Sequence, residues 1–312
     1  MPRLIYVLGA GAMGGLYAAY LSRDKANLVT LITSRPQMAE VVKARGLIVQ
    51  TPKGPFKATN LRATTEPEAE RGPASLLVVL VKAPDTALSL SRARPLVGPE
   101  TMVLSLQNGL GNLEVIGDIV GSDRVIGGVS SFGAQSGPIG EVILRGYGQT
   151  IIGEPSGSIS PRLTLLAEIL NQASLSAILT DDLLSAIWTK LIVNAGINAL
   201  AAILRAPNGA IVEHPEAASI MEAAVKEGTE VAAKIGLKLA ATDMVDYVAN
   251  ICRLTSENYC SMLQDVLRHR PTEINVINGA LVKEGLKQGI PTEVNRILAN
   301  MVAVIERTYP AS

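Results

Sequence analysis

Leu4-Ile5-Tyr6-Val7-Leu8-Gly9-Ala10-Gly11-Ala12-Met13-Gly14 runs a short apolar segment straight into three spaced glycines. Leu16, Ala19 and Tyr20 follow at helical spacing. A buried strand, a tight turn and a helix are therefore predicted in that order, which is the context a dinucleotide-binding loop requires. The three glycines serve different ends. Gly9 permits the turn, Gly11 lets the backbone approach a pyrophosphate, and Gly14 lets helix and strand pack closely. The start of the helix supplies amide donors and positive dipole. The loop Gly9, Ala10, Gly11, Ala12, Met13 and Gly14 is the predicted cofactor cradle, against the plainer reading of a tight strand-helix turn.

The second strand ends in Ile32-Thr33-Ser34-Arg35. NAD sites place an Asp or Glu there to bind the ribose 2′-hydroxyl. With no carboxylate to repel it, a 2′-phosphate can bond to Ser34 and pair with Arg35, so NADP(H) is the expected cofactor. A solvated loop cation is the alternative for Arg35.

Outward from this loop, Leu28 to Ile32, Leu76 to Val81, Met102 to Leu106 and Val125 to Val129 read as further buried strands. Several are separated by room for a crossover helix, which predicts a parallel α/β sheet. Leu47 to Gln50, Phe56 to Leu61, Val142 to Leu144 and Thr150 to Ile152 read as smaller strand additions. Of the 28 glycines, 21 precede residue 180, and beyond about Asp181 the strand pattern stops. Helices are predicted at roughly 182–203, 215–235, 242–268, 272–288 and 291–308. The domains are thus expected at 1–180 and 181–312.

The chain of 312 residues carries 28 Lys plus Arg against 28 Asp plus Glu, so no global field draws it to nucleic acid or to an acidic membrane surface. Aromatic residues make up 3%, which offers no stacking platform for bases. The longest strongly apolar run noted, Leu76 to Val81, is far short of the ~20 residues that cross a bilayer. Arg3 leads directly into the first strand without a signal-type apolar region, so a cytoplasmic setting is expected. Cys252 and Cys260 fall in a segment read as one helix, where eight residues rise about 12 Å, too far for a disulfide. His214 and His269 have no ligand-type neighbours at metal spacing, and no metal site is expected. Surplus apolar surface in the helical half is expected to go into a core or a homodimer interface.

Within Ile187 to Leu200, apolar almost all round, Lys190, Asn194 and Asn198 recur at i, i+4 and i+8. They form one polar stripe on a helix that is otherwise fit for burial. A buried ammonium and two amides are costly unless partnered, so the stripe marks either a polar network or a lined cleft. A desolvated lysine there is suited to protonate a carbonyl oxygen as hydride reaches its carbon. Further on, Asn258 and Ser261 are expected to share a helix face, and Glu273 reads as an acid near a helix start.

These blocks together resemble the ketopantoate reductase (2-dehydropantoate 2-reductase) family over essentially the whole chain. The resemblance rests on the glycine loop, Val81-Lys82-Ala83, Gln107-Asn108-Gly109-Leu110-Gly111-Asn112, Trp188-Thr189-Lys190-Leu191 with Asn194 and Asn198, and Ser261 to Asp265 with Pro271 to Ile274. It implies an α/β protein, with an N-terminal Rossmann-type dinucleotide-binding domain, an all-α C-terminal domain like that of 6-phosphogluconate dehydrogenase, and an active site in the cleft between them. Lys190 is implied as general acid, with Glu273 supporting both catalysis and cofactor. Asn108 is implied beside nicotinamide and substrate, Lys82 and Ala134 as cofactor contacts, and Asn194, Asn198, Asn208, Asn258 and Ser261 as substrate contacts. Pro84-Asp85 departs from the aromatic and Gln that some members carry after the lysine motif, and the counterpart of the family's phosphate-binding arginine around Ser34-Arg35 stays open. The implied activity is NADPH-dependent reduction of 2-dehydropantoate to (R)-pantoate. Reduction of another 2-oxo acid and non-catalytic NADPH sensing are the alternatives.

Overall fold

A computed structural model describes residues 2–310. The chain divides into two units. One holds everything up to Gln107 together with Gly111–Leu183; the other takes Asn108–Leu110 and everything from Leu184 onward.

The first unit begins with β1 (Arg3–Leu8), α1 (Ala12–Leu21), β2 (Asn27–Ile32), α2 (Pro36–Arg45), β3 (Leu47–Gln50), β4 (Phe56–Ala58), β5 (Leu61–Thr64) and β6 (Leu76–Val79). It continues with α3 (Thr86–Ala93), β7 (Met102–Ser105), α4 (Asn112–Val120), β8 (Val125–Ser130), β9 (Gly133–Ser136), β10 (Glu141–Gly146), β11 (Thr150–Gly153), α5 (Pro161–Gln172) and β12 (Ala177–Leu179). Eight strands form one sheet in the order β12-β11-β8-β7-β6-β1-β2-β5. From β8 to β5 the neighbours are parallel, and β11 joins β8 antiparallel. β6 and β7 are buried along their whole length, which explains why they are apolar without alternation. This is a Rossmann-like sheet.

A smaller sheet, β4-β3-β10-β9, lies on the other side of α1. Gly14 to Leu21 of α1 are all buried. The Tyr17 hydroxyl meets Thr150 Oγ1 of β11 at 2.7 Å, and the Tyr20 ring sits edge-on to Phe56 of β4 at 5.3 Å. The run read as one strand over Phe56 to Leu61 is in fact two. Phe56 turns to Tyr20 and pairs with β3, whereas Leu61 is buried beside β2 in the large sheet. β9 and β12 carry no pattern strong enough to announce them in the sequence, whereas α5, absent from the expected helices, has a Ser160 N-cap, Pro161 in its first turn and Leu163, Leu166, Ala167 and Leu170 at helical spacing.

The second unit is helical: α6 (Leu183–Leu204), α7 (Ala210–Glu213), α8 (Pro215–Lys234), α9 (Met244–Leu254), α10 (Ser261–Leu267), α11 (Asn278–Gln288) and α12 (Glu293–Arg307). Among the described residues, α6 is the one helix long and apolar enough to cross a membrane, a feature the reading of Leu76 to Val81 overlooked. Of its most apolar window 67% is buried, with Trp188, Leu191, Ile192 and Ala195 in the core. The expected single helix over 242–268 breaks after Leu254. The Thr255 hydroxyl turns back to the Ile251 carbonyl at 2.7 Å, and Cys260 restarts the helix by accepting from the Leu263 amide on its Sγ. Both cysteines are free, but the rise along one continuous helix is not the reason.

Gly9 has φ +110°, and a Cβ on Gly14 would lie 1.7 Å from the Gly9 carbonyl oxygen. Gly14→Ala is therefore expected to cost at least about 1–3 kcal/mol through forced backbone movement. Gly11→Ala, whose Cβ meets nothing within 4 Å, should stay within about 0.5 kcal/mol of wild type. Thermal and urea unfolding of the two variants checks this contrast.

Candidate active site

The loop between β1 and α1 presents bare backbone. Gly9 and Gly14 are closed against each other and against Leu80, yet Gly11 faces open space at the N-terminus of α1. The N–H groups of a first helical turn have no intrahelical acceptor, so this face fits a phosphate group. Arg35 lies across the same loop, with Nη2 donating to the Ala10 carbonyl at 2.6 Å. Its own backbone N–H donates to the buried Thr33 hydroxyl at 3.1 Å, which turns the chain at the end of β2. Ser34 and Arg35 are exposed and no carboxylate stands beside them in sequence. The residues present thus fit a dinucleotide cofactor.

Other cofactor candidates of the first unit are placed by its strands. Lys82 is half-buried and caps the short helical turn after β6. Gln107 Nε2, from the end of β7, bonds to the Val81 carbonyl at 2.8 Å and to the buried Thr86 hydroxyl at 2.7 Å, tying the two strand ends together. Ala134 pairs with Leu144 on β10, in the strand pair that packs on α1.

In the second unit, Lys190 stands on α6 among apolar residues. Desolvation pulls its ammonium down from the ordinary lysine value to about 8, and the Glu273 carboxylate works against that fall. Glu273 is not at a helix start. It lies in a turn ahead of α11, where its carbonyl accepts the N–H groups of Val276 and Ile277 at 3.1 Å each. The Asn108 side-chain nitrogen donates to Glu273 Oε2 at 3.0 Å, which aims the carboxylate. Asn108 gets there because Gly109, at φ +85°, allows the chain to touch the turn: a Cβ on Gly109 would sit 2.2 Å from the Val276 carbonyl oxygen. Leu110 N–H then bonds to that oxygen at 3.1 Å. Lys190, Glu273 and Asn108 therefore form one group drawn from three distant stretches of sequence.

Asn194 and Asn198 continue on α6, the first half-buried and the second buried. The Asn198 carbonyl accepts from Cys260 Sγ at 3.6 Å, which places the cap of α10 against α6, while Ser261 itself is exposed. Asn208 is buried; its N–H bonds to the Asn258 carbonyl at 3.0 Å and its Nδ2 donates to Thr255 Oγ1 at 2.9 Å. Its Oδ1 has no protein partner. Asn258 lies in the break between α9 and α10, so it does not share a helix face with Ser261 as expected. The contacts of Thr255, Cys260 and Gly109 with Asn208, Asn198 and Val276 escape a reading of the sequence, since each joins residues far apart in the chain.

These features fit an oxidoreductase that uses a nicotinamide dinucleotide. The chain belongs to the ketopantoate reductase family: the description "Ketopantoate reductase PanE/ApbA" matches residues 5–157, and "Ketopantoate reductase PanE/ApbA C terminal" matches 182–306. A 2-dehydropantoate 2-reductase of Archaeoglobus fulgidus is 35% identical over 303 residues, which is 97% of each chain. The crystal structure of a 2-dehydropantoate 2-reductase from Geobacter metallireducens is 32% identical with a TM-score of 0.91, covering 96% of this chain and 99% of that one. A ternary structure of D-mandelate dehydrogenase with NADH and anilino(oxo)acetate is 26% identical with a TM-score of 0.92, over 98% and 99%.

Glu273→Gln removes the charge that supports the Lys190 ammonium. Titration of ε-13C-lysine signals, assigned by loss of one resonance in Lys190→Gln, should show Lys190 releasing its proton at lower pH than the value of about 8 in wild type. An unchanged midpoint would show that Glu273 has no hold on it.

Proposed function

We propose that this protein reduces the C2 ketone of 2-dehydropantoate to (R)-pantoate with NADPH, a step of pantothenate and coenzyme A synthesis in the cytoplasm. The observation that carries the reading is the Lys190 ammonium, brought by desolvation to about 8 and faced by a carboxylate that Asn108 aims. When bound, the dinucleotide supplies hydride to the ketone carbon. Gly9 to Gly14 would hold its pyrophosphate, Ser34 and Arg35 its 2′-phosphate, and Lys82, Asn108, Ala134 and Glu273 its remaining contacts.

As the carbon is reduced, negative charge gathers on the ketone oxygen. Lys190 Nζ gives that oxygen a proton, so hydride and proton together convert the ketone to a hydroxyl. An ammonium that titrates at about 8 is a stronger acid than an ordinary lysine, yet it is still protonated at neutral pH, which suits a general acid. Asn194, Asn198, Asn208, Asn258 and Ser261 supply amides and a hydroxyl suited to the substrate carboxylate and its hydroxyl. Holding the ketone against the ammonium removes the need for a chance encounter between them.

A second reading, a reductase for another 2-oxo acid, is favoured by the likeness to D-mandelate dehydrogenase, solved with NADH and anilino(oxo)acetate. A common fold does not fix the side chain of the substrate. Oxidation of NADPH followed at 340 nm with 2-dehydropantoate, pyruvate, 2-oxoisovalerate and phenylglyoxylate decides between the readings. A kcat/KM for 2-dehydropantoate at least about 100-fold above the others is expected, and a better rate on another acid would move the protein to the second reading.

Lys190→Ala should lower kcat by about 100-fold or more and leave the Kd for NADPH within a few fold. Because the acid must be protonated, wild-type kcat/KM should hold below about pH 8 and fall above it. Arg35→Ala should raise the KM for NADPH about tenfold and leave that for NADH little changed, as expected when a charge-assisted pair to the 2′-phosphate is lost.

A further inference from the structure

Asn278 opens α11 and is fully buried. Its Nδ2 donates to two oxygens: the Ala195 carbonyl of α6 at 3.0 Å and Asn295 Oδ1 of α12 at 2.9 Å. Asn295, also fully buried, donates onward to the Ala224 carbonyl of α8 at 2.9 Å and to Glu227 Oε2 at 2.7 Å. The Glu227 carboxylate completes the chain by accepting the Val294 and Asn295 N–H groups at the start of α12, at 2.8 and 3.0 Å. One polar thread thus crosses α8, α12, α11 and α6 inside an apolar core.

The two ends of the Asn278 to Ala195 bond are what give it meaning. Ala195 follows Asn194 and stands five residues after Lys190 on the same helix. Asn278 follows directly on the turn that carries Glu273, and that turn is internally braced by its Val276, Ile277 and Gly279 N–H groups. Helix α6 and the end of the turn are therefore joined by a side-chain bond about one and a half turns along α6 from Lys190. Packing alone does not explain the residue. Asn278 Oδ1 is buried with no hydrogen-bond partner, a cost that an apolar side chain of the same shape would avoid.

We propose that Asn278 is a positioning residue for the proton donor: its bond to the Ala195 carbonyl fixes the Glu273 turn against α6 and so sets how closely the Glu273 carboxylate faces the Lys190 ammonium. The inference rests on the reading of Lys190 as general acid. Among the described residues, Glu273 is the charged group that acts on Lys190. Glu227, at the far end of the thread, faces the α12 N-terminus, and Cys260 faces the Asn198 carbonyl.

The test compares Asn278→Leu with Asn295→Leu in the full chain. Asn295→Leu breaks the thread but leaves Asn278 its bond to Ala195, so it separates lost stability from lost positioning. Both variants should melt at lower temperature. Asn278→Leu alone should lower kcat at least tenfold, and should move the Lys190 midpoint, read by ε-13C-lysine NMR, to lower pH. The basic limb of kcat/KM should move with it, because a carboxylate that has drifted away no longer supports the ammonium. Where leucine prevents folding, Asn278→Ala serves the same comparison. Equal loss of melting temperature in both variants with an unmoved Lys190 midpoint would overturn the proposal and leave Asn278 a packing residue. Turnover that survives Lys190→Gln would instead remove the proton-donor reading, and this proposal with it; the wild-type background shows that failure directly, so the two are not confused.

Discussion

Desolvation of one ammonium is the constraint around which the helical unit is arranged. Lys190 sits half-buried on a helix with the core residues Trp188, Leu191 and Ile192 as neighbours, and its charge is less well solvated than at the surface. A charge in that position either neutralises or acquires a partner. The partner here is Glu273, and a carboxylate so placed must itself be held. Asn108 holds its oxygen, the Val276 and Ile277 amides hold its backbone, and Gly109 gives Asn108 room to reach it. Each residue in this series answers a need that the previous one created.

The first unit is organised by a different constraint, the demand for bare backbone. A side chain on Gly14 would strike the Gly9 carbonyl, and one on Gly9 would strike the main chain of Leu80 and Val81. The loop can therefore close only with hydrogen at both positions, and in closing it leaves Gly11 open at a helix N-terminus. The same closeness explains why α1 is buried on nearly every face. With the large sheet on one side and the smaller one on the other, its Tyr17 hydroxyl bonds to Thr150 Oγ1, which in turn donates to the Leu175 carbonyl.

How much of this is legible in the sequence follows from where each interaction lives along the chain. The β1, loop and α1 succession is readable because its requirements are local: apolar residues for a strand buried on both faces, and glycines where backbone meets backbone. The Lys190, Asn194 and Asn198 stripe is readable for the same reason, being polarity out of place at helical spacing. The break after Leu254 is not. Leu254-Thr255-Ser256-Glu257-Asn258 holds no glycine or proline, yet the helix ends with Thr255 as its cap and restarts only where Cys260 accepts the Leu263 amide. The strand expected over Phe56 to Leu61 fails likewise, because its two halves answer to partners in different sheets.

Least legible of all is the meeting of Asn108, Lys190 and Glu273. Asn108 and Glu273 are separated by 165 positions, and no spacing rule links them. Family resemblance names such residues but does not say what brings them together. The physical answer is that Asn108–Leu110 leave the unit that holds both their flanks and belong to the helical one. That placement depends on a glycine able to lie against the Val276 carbonyl. A residue as small as Gly109 thus has a structural role that its sequence motif alone does not disclose. In this unit the residues proposed to carry the chemistry are polar and conspicuous. The groups that bring them into range, Gly109, Cys260 and the buried amides behind α6, are small, neutral or hidden, and only their contacts reveal them.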